Sequence, residues 1–287
     1  MKQITYKIAI VGVIFIFGIS FLWLKKVNLK YNPLISIVIT SYNYERYIGE
    51  TLDSVLKQTY KNYEVVIVDD GSKDNSVELI KRYVNKHKNF YLYTHPDNKN
   101  KGLIESLKLG ISKAKGEYVA FLESVDYWHK DNLLEKIKLI NKYKNVNFIS
   151  NGVEPFGEDE ESVKKRMKYT NRISNLLFKE NNYIHPIQII DFNVVPTFSC
   201  IMIKKEILNN LNYDSIIPEY VDFWLYRQIL LNNNLFHVRS NLTFWRVHDS
   251  YNNDKKAEQL RPLYDKFIRE NNKIIFGEYN PTKFIVK

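Results

Sequence analysis

Between residues 34 and 143 two kinds of pattern alternate along the chain. Leu34–Thr40 (LISIVIT) and Tyr63–Asp70 (YEVVIVDD) are nearly unbroken apolar, β-branched runs, the pattern of strands buried on both faces. Phe90–His95 (FYLYTH) and Glu117–Glu123 (EYVAFLE) are two further strand segments. Between the strands, apolar positions recur at helical spacing. Ile48, Leu52, Val55 and Leu56 form one stripe of a helix predicted from Tyr47 to Gln58. A second helix is predicted from Asn75 or Ser76, either of which can cap it, to about Asn85. Two more are predicted over 103–114, with Gly116 past the end, and over 132–143 behind Asp131. This alternation implies an α/β fold with a mostly parallel sheet flanked by helices. Ligands of such sheets bind beyond the carboxyl ends of the strands.

The pattern loosens after residue 150. Residues 154–172 carry an acidic cluster and then a basic one, read as a solvated loop and helix face. SCIMIKKEIL (199–208) predicts a strand running into a helix, VDFWLYRQILL (221–231) an amphipathic helix, and TFWRVH (243–248) a strand. Residues 251–287 are expected to be mostly helical and polar. The organisation expected is therefore a binding half over 34–143, a second half of the same domain over 144–250, and a helical tail over 251–287.

Residues 8–24 (IAIVGVIFIFGISFLWL) form an uncharged run of 17 residues between Lys7 and Lys25. A helix of that length spans about 26 Å, close to a hydrocarbon core of about 30 Å, and flanking lysines can snorkel to the interfaces. No small-residue cleavage site follows, so an uncleaved single-pass anchor is expected over 1–33 rather than a signal peptide. The net charge is +10, and residues 1–33 hold five lysines and no acid, a distribution suited to an anionic membrane surface. No basic–aromatic repeat points to nucleic acid. The slight lysine excess after the apolar run favours a cytosolic main domain, and the sequon Asn241-Leu242-Thr243 is the opposing hint. The one cysteine, Cys200, excludes an intrachain disulfide and sits in an apolar run as a core thiol.

The polar residues after each strand are the chemical candidates. Thr40-Ser41-Tyr42-Asn43 ends the first strand and can meet a base and ribose, although it is also an ordinary polar turn. Asp69-Asp70-Gly71-Ser72 ends the second; a carboxylate there can accept hydrogen bonds from a ribose or a base, or cap the next helix as an Asx turn. Glu123-Ser124-Val125-Asp126 ends the fourth, where a carboxylate can hold a divalent cation against a diphosphate.

The segments TSYNYERYIGETLDSVLKQTYKNYEVVIVDDGSKDNS and KGEYVAFLESVDYW together resemble the family 2 glycosyltransferases. The likeness is close over about 34–135 and looser over 136–250. It implies a GT-A (Rossmann-like) fold and inverting transfer of a sugar from a nucleotide-diphosphate donor, UDP-linked by default. The acceptor would be a hydroxyl of a glycan, a lipid-linked glycan or a polysaccharide. By the same resemblance, Thr40, Tyr42, Asn43, Asp69 and Asp70 lie by the nucleoside. Asp126 matches the metal-binding aspartate, with Glu123 as a second carboxylate for Mn²⁺ or Mg²⁺. Asp222, or alternatively Glu219, would be the general base, and Arg246 and His248 would meet the diphosphate. The chain departs from the family's LDSDD, which here reads LESVD, and Val125 cannot ligate a metal. That departure keeps a non-catalytic nucleotide-sugar-binding protein as the alternative. A nucleotidyltransferase fits poorly, because SYNYERY has no glycine with which to cradle a triphosphate.

Overall fold

A computed structural model describes residues 29–177, 183–184, 195–213, 221–248, 262–263 and 266. The chain divides into two units, 1–31 and 32–287. The expected anchor over 8–24, the second base candidate Glu219 and most of the tail lie outside the described residues. Among the described residues no helix is long and apolar enough to cross a membrane.

The first half follows the pattern closely. Strands β1 (Ile35–Ser41), β2 (Tyr63–Asp69), β3 (Phe90–Thr94) and β4 (Tyr118–Phe121) alternate with helices α1 (Ile48–Leu56), α2 (Ser76–Lys86), α3 (Leu103–Lys113) and α4 (Asn132–Lys142). The four strands run parallel in the order β3-β2-β1-β4. Every residue of β2 is buried, and Ile35, Ile37 and Ile39 of β1 have no exposed surface. Each valine and isoleucine among them contributes about 1.5–3 kcal/mol by leaving water.

Beyond β4 the expectation of a mostly parallel sheet needs correction. The order continues β4-β8-β6-β9-β5, with β7 (Tyr183–Ile184) also on β9. β8 (Ile201–Lys204) is antiparallel to both β4 and β6 (Phe148–Gly157). β9 (Leu235–Val247) is parallel to β6 and antiparallel to β5 (Tyr127–Trp128) and β7. Strand direction depends on the connections, which apolar runs do not encode.

Strand β6 was not expected, because it begins FISNG and puts polar residues in the core. They are satisfied across strands: Ser150 Oγ lies 2.8 Å from His237 Nδ1, and Asn151 Nδ2 donates to Thr243 Oγ1 at 2.9 Å. The segment over 160–177 is a helix, α5 (Glu160–Leu177), as read from its charged face. The short helix α6 (Lys205–Leu208) follows β8, and α7 (Val221–Leu230) packs Tyr226 against Phe148 and Phe198, at ring separations of 5.8 and 5.7 Å. Cys200 is fully buried in this core, and burial pushes its thiol up to about 12.

Candidate active site

β1 lies between β2 and β4, so Asp69–Asp70 and the 123–126 turn emerge two strand spacings apart, about 10 Å, on the same end of the sheet. The loops after β1 and β2 are stitched to each other. Asn43 adopts a left-handed φ of 57°, donates its N–H to Ser72 Oγ at 2.9 Å and accepts from the Lys73 N–H at 2.7 Å. Glu45 accepts from the Asn75 N–H at 2.8 Å. Asp69, buried, closes its own turn by accepting from the Gly71 and Ser72 N–H groups and the Ser72 hydroxyl.

Asp70 reaches the other way. Its carboxylate accepts from the Lys101 N–H at 2.7 Å and the Gly102 N–H at 2.9 Å, and His95 Nε2 stands 3.4 Å from it. The same His95 nitrogen is 3.0 Å from Ser106 Oγ. Asp70 therefore holds the 95–102 loop against the β2 end. Gly71 makes this approach feasible: its φ is +80°, and a Cβ there would stand 2.7 Å from the Asn98 carbonyl oxygen. Thr40 lines a small pocket with Leu103, Leu107, Phe198 and Glu123, and Tyr42 is exposed at its side of the sheet end.

The 123–126 turn is built around two hydroxyls. Thr197 Oγ1 donates to Glu123 at 2.6 Å and lies 3.4 Å from Asp126. Ser199 Oγ donates to Asp126 Oδ2 at 2.6 Å and accepts from the Glu123 N–H at 2.9 Å. The other Asp126 oxygen accepts from the Arg246 main-chain N–H at 2.8 Å. Asp126 has no exposed surface, whereas Glu123 is half-buried. Burial, and then the neighbouring Glu123 charge, raise Asp126 well above the usual carboxylate range; the Ser199 and Arg246 hydrogen bonds oppose the rise. Burial also raises Glu123, against its bond from Thr197.

Arg246 is held beside this turn. Its Nε donates to the Val125 carbonyl at 2.9 Å, and a terminal nitrogen pairs with Glu50 at the start of α1. The guanidinium lies 4.6 Å from the Tyr47 ring centre and 4.4 Å from that of Phe156. His248 sits close by, with its ring 6.0 Å from Tyr44 and 6.1 Å from Tyr47.

These residues make a poor divalent-metal site. Mg²⁺ and similar hard ions need accessible oxygen ligands and use one or two carboxylates with substrate phosphates. Both oxygens of Asp126 are engaged by protein donors inside the fold, the Val125 side chain has no ligating atom, and Glu123 is left as the one partly exposed carboxylate of the turn. Among the described residues no group of three or more His, Cys, Asp or Glu side chains could hold a metal.

Asp222 lies in the first turn of α7, and its carboxylate accepts from the Phe223 N–H at 2.7 Å. It is four residues before Tyr226 and so shares that helix face, one turn along. Tyr226 touches Phe198, which lines the pocket shared by Thr40 and Glu123. Asp222 is also near Tyr169 of α5: the ring is exposed at the surface, while partial enclosure of its hydroxyl and then the Asp222 charge raise that group above its ordinary value.

The chain matches Glycosyl transferase family 2 over residues 36–211. It belongs to that family. Glycosyltransferase GlyG of Streptococcus pneumoniae serotype 4 is 30% identical over 224 residues, which cover 75% of this chain and 71% of GlyG. An uncharacterized glycosyltransferase of Rickettsia typhi is 29% identical over 249 residues, 84% of this chain and 73% of its own. Among solved structures, S. aureus TarS 1-349 in complex with UDP-GlcNAc superposes with a TM-score of 0.60 at 21% identity, covering 75% of this chain and 59% of that one. The mannosyltransferase PcManGT of Pyrobaculum calidifontis, in complex with GDP-Man and Mn²⁺, gives a TM-score of 0.60 at 20% identity, covering 92% and 75%. These likenesses establish the GT-A-like fold of this glycosyltransferase.

Several residues of the glycosyltransferase that shape the strand-end cluster were not singled out from sequence. Ser199 opens the segment predicted as a strand running into a helix, Thr197 lies just before it, and Glu50 falls within the helix predicted from Tyr47 to Gln58. His95 was placed only as the end of a strand. A hydroxyl two residues from another at the head of a strand was the available signal for Thr197 and Ser199. It is weak without knowing that β8 lies beside β4.

Proposed function

We propose that this glycosyltransferase is an inverting enzyme that takes a sugar from a nucleoside-diphosphate donor, UDP-linked by default, and transfers it to an acceptor hydroxyl of a glycan, lipid-linked glycan or cell-surface polysaccharide. The observation that carries the reading is the convergence of Thr40, Asp70, Glu123 and Arg246 on the carboxyl ends of three adjacent parallel strands, where α/β sheets bind their ligands. TarS with UDP-GlcNAc and PcManGT with GDP-Man support a nucleotide-sugar donor on the same fold.

In this reading the nucleoside lies along the β1 and β2 ends. Thr40 and the exposed Tyr42 ring face it directly. Asp69, Asp70 and Asn43 contribute chiefly by holding the surrounding loops, since their side chains are already hydrogen-bonded there. Arg246, with His248 beside it, meets the diphosphate. Asp222 takes the proton of the acceptor hydroxyl. The acceptor oxygen bonds to the anomeric carbon as the bond from that carbon to the phosphate oxygen breaks, and the electron pair leaves with the nucleoside diphosphate. A positioned base of this kind contributes about 10²–10⁴-fold. Asp222→Asn should therefore lower nucleoside-diphosphate release in a donor and acceptor screen by about that factor, with an unchanged melting temperature. Full activity in Asp222→Asn would remove Asp222 from the mechanism. Donor binding without turnover across a broad acceptor panel would favour a non-catalytic binder instead.

A further inference from the structure

The turn that faces the leaving group has few accessible metal ligands, and a fixed organic cation stands beside it. Asp126 is turned into the fold and spends both oxygens on Arg246 and Ser199. Position 125 is a buried valine, and Ser124 adds at most a neutral oxygen. Glu123 alone offers a carboxylate, one oxygen of which already accepts from Thr197. One partly buried carboxylate with an oxygen already committed is the minimum that a divalent ion uses beside substrate phosphates, and nothing else in the turn adds to it.

Arg246 has the opposite character. It is held at three levels: its main-chain N–H on Asp126, its Nε on the Val125 carbonyl, and its guanidinium over the Tyr47 and Phe156 rings. Its side chain is 17% exposed, so an edge remains open. Of the five donors of a guanidinium, the hydrogen bonds described commit Nε and one donor of the terminal nitrogen paired with Glu50, which leaves planar donors suited to phosphate oxygens. Glu50 is half exposed and shares its contact with solvent, so a diphosphate can take its place on Arg246.

We infer that this chain transfers its sugar without a resident divalent cation at the 123–126 turn, and that Arg246 is the fixed positive charge that receives the leaving diphosphate. This rests on the nucleotide-sugar reading above. The electron pair of the breaking bond stays on the diphosphate, and a preorganised guanidinium stabilises that charge with little reorganisation.

The full chain is titrated with Mn²⁺ and followed by electron paramagnetic resonance, alone and with UDP, GDP or dTDP. Nucleotide affinity and donor turnover are measured in parallel in EDTA and in Mn²⁺. The expected results are no nucleotide-dependent Mn²⁺ binding, and affinity and turnover within about twofold between the two conditions. Arg246→Met should weaken nucleoside-diphosphate binding in EDTA at least about tenfold, with Arg246→Lys in between. Val125→Asp, which adds the missing ligand, should create nucleotide-dependent Mn²⁺ binding if it folds, and its melting temperature reports whether it does. One Mn²⁺ bound per wild-type chain with nucleotide, or nucleotide binding that requires Mn²⁺, overturns the inference and leaves the nucleotide-sugar reading standing. Arg246→Met binding as tightly as wild type overturns the role of Arg246. A chain that binds none of the three nucleotides and turns over no donor in either condition sinks the nucleotide-sugar reading and this inference with it.

Discussion

At the residue scale the chemistry turns on which carboxylates are free to act. The adjacent acids after β2 look equivalent in sequence, yet Asp69 closes its own turn while Asp70 reaches across to the 95–102 loop. Glu123 and Asp126 are held together by Thr197 and Ser199, whose hydroxyls oppose the effect of burial on the charge of the turn. Thr197→Val removes the bond to Glu123 and leaves that oxygen unsatisfied, which should cost about 1–3 kcal/mol and lower the melting temperature by roughly 2–12 °C. Thr197→Ser should restore most of it. A melt of Thr197→Val indistinguishable from wild type would show that the hydroxyl is idle. Asp126 was legible as a strand-end carboxylate; its turning inward was not, because that depends on β9 delivering the Arg246 N–H from 120 residues away.

At the element scale the loops and paired strands set the geometry. Gly71 lets the 98–100 backbone lie against the β2 end in a left-handed turn. Gly71→Ala meets both the steric penalty of that φ, about 1–2 kcal/mol, and a clash with backbone. It should destabilise by more than that amount in chemical denaturation and weaken nucleotide binding as the loop lifts from Asp70. Wild-type stability in this variant would mean that the loop is held elsewhere. The β6–β9 pair carries a pH signature. His237 of β9 is buried against Ser150, and burial, then Arg239 and Lys136, lower its folded pKa from 6.5 to about 3. A group with a lowered folded pKa binds its proton more readily when unfolded. Its contribution to stability is present above about 6.5 and is lost as pH falls towards about 3. His237→Gln should therefore flatten the acid limb of melting temperature against pH between those values, and an unchanged limb would place the acid sensitivity on other groups.

At the scale of the whole molecule, the chain divides into a unit over 1–31, which holds the lysine-flanked apolar segment, and a unit over 32–287. We propose that residues 8–24 tether the chain to a membrane with the catalytic unit on the cytosolic side. The full chain should then sediment with membranes and be released by detergent but not by salt or alkali, and a chain begun at residue 32 should stay in the supernatant. Release of the full chain by salt would reduce the attachment to an electrostatic one. The sequence alone determined that four apolar runs alternate with amphipathic helices, and that polar residues cluster after the runs, because burial and helical periodicity are local properties of a chain. Strand direction past β4, the polar strand β6, the inward turn of Asp126 and the seat of Arg246 against two aromatic rings were decided only in three dimensions. Each depends on which distant segment supplies a hydrogen-bond partner or a packing face, and that choice is made by the connections between elements rather than by the residues of any one of them.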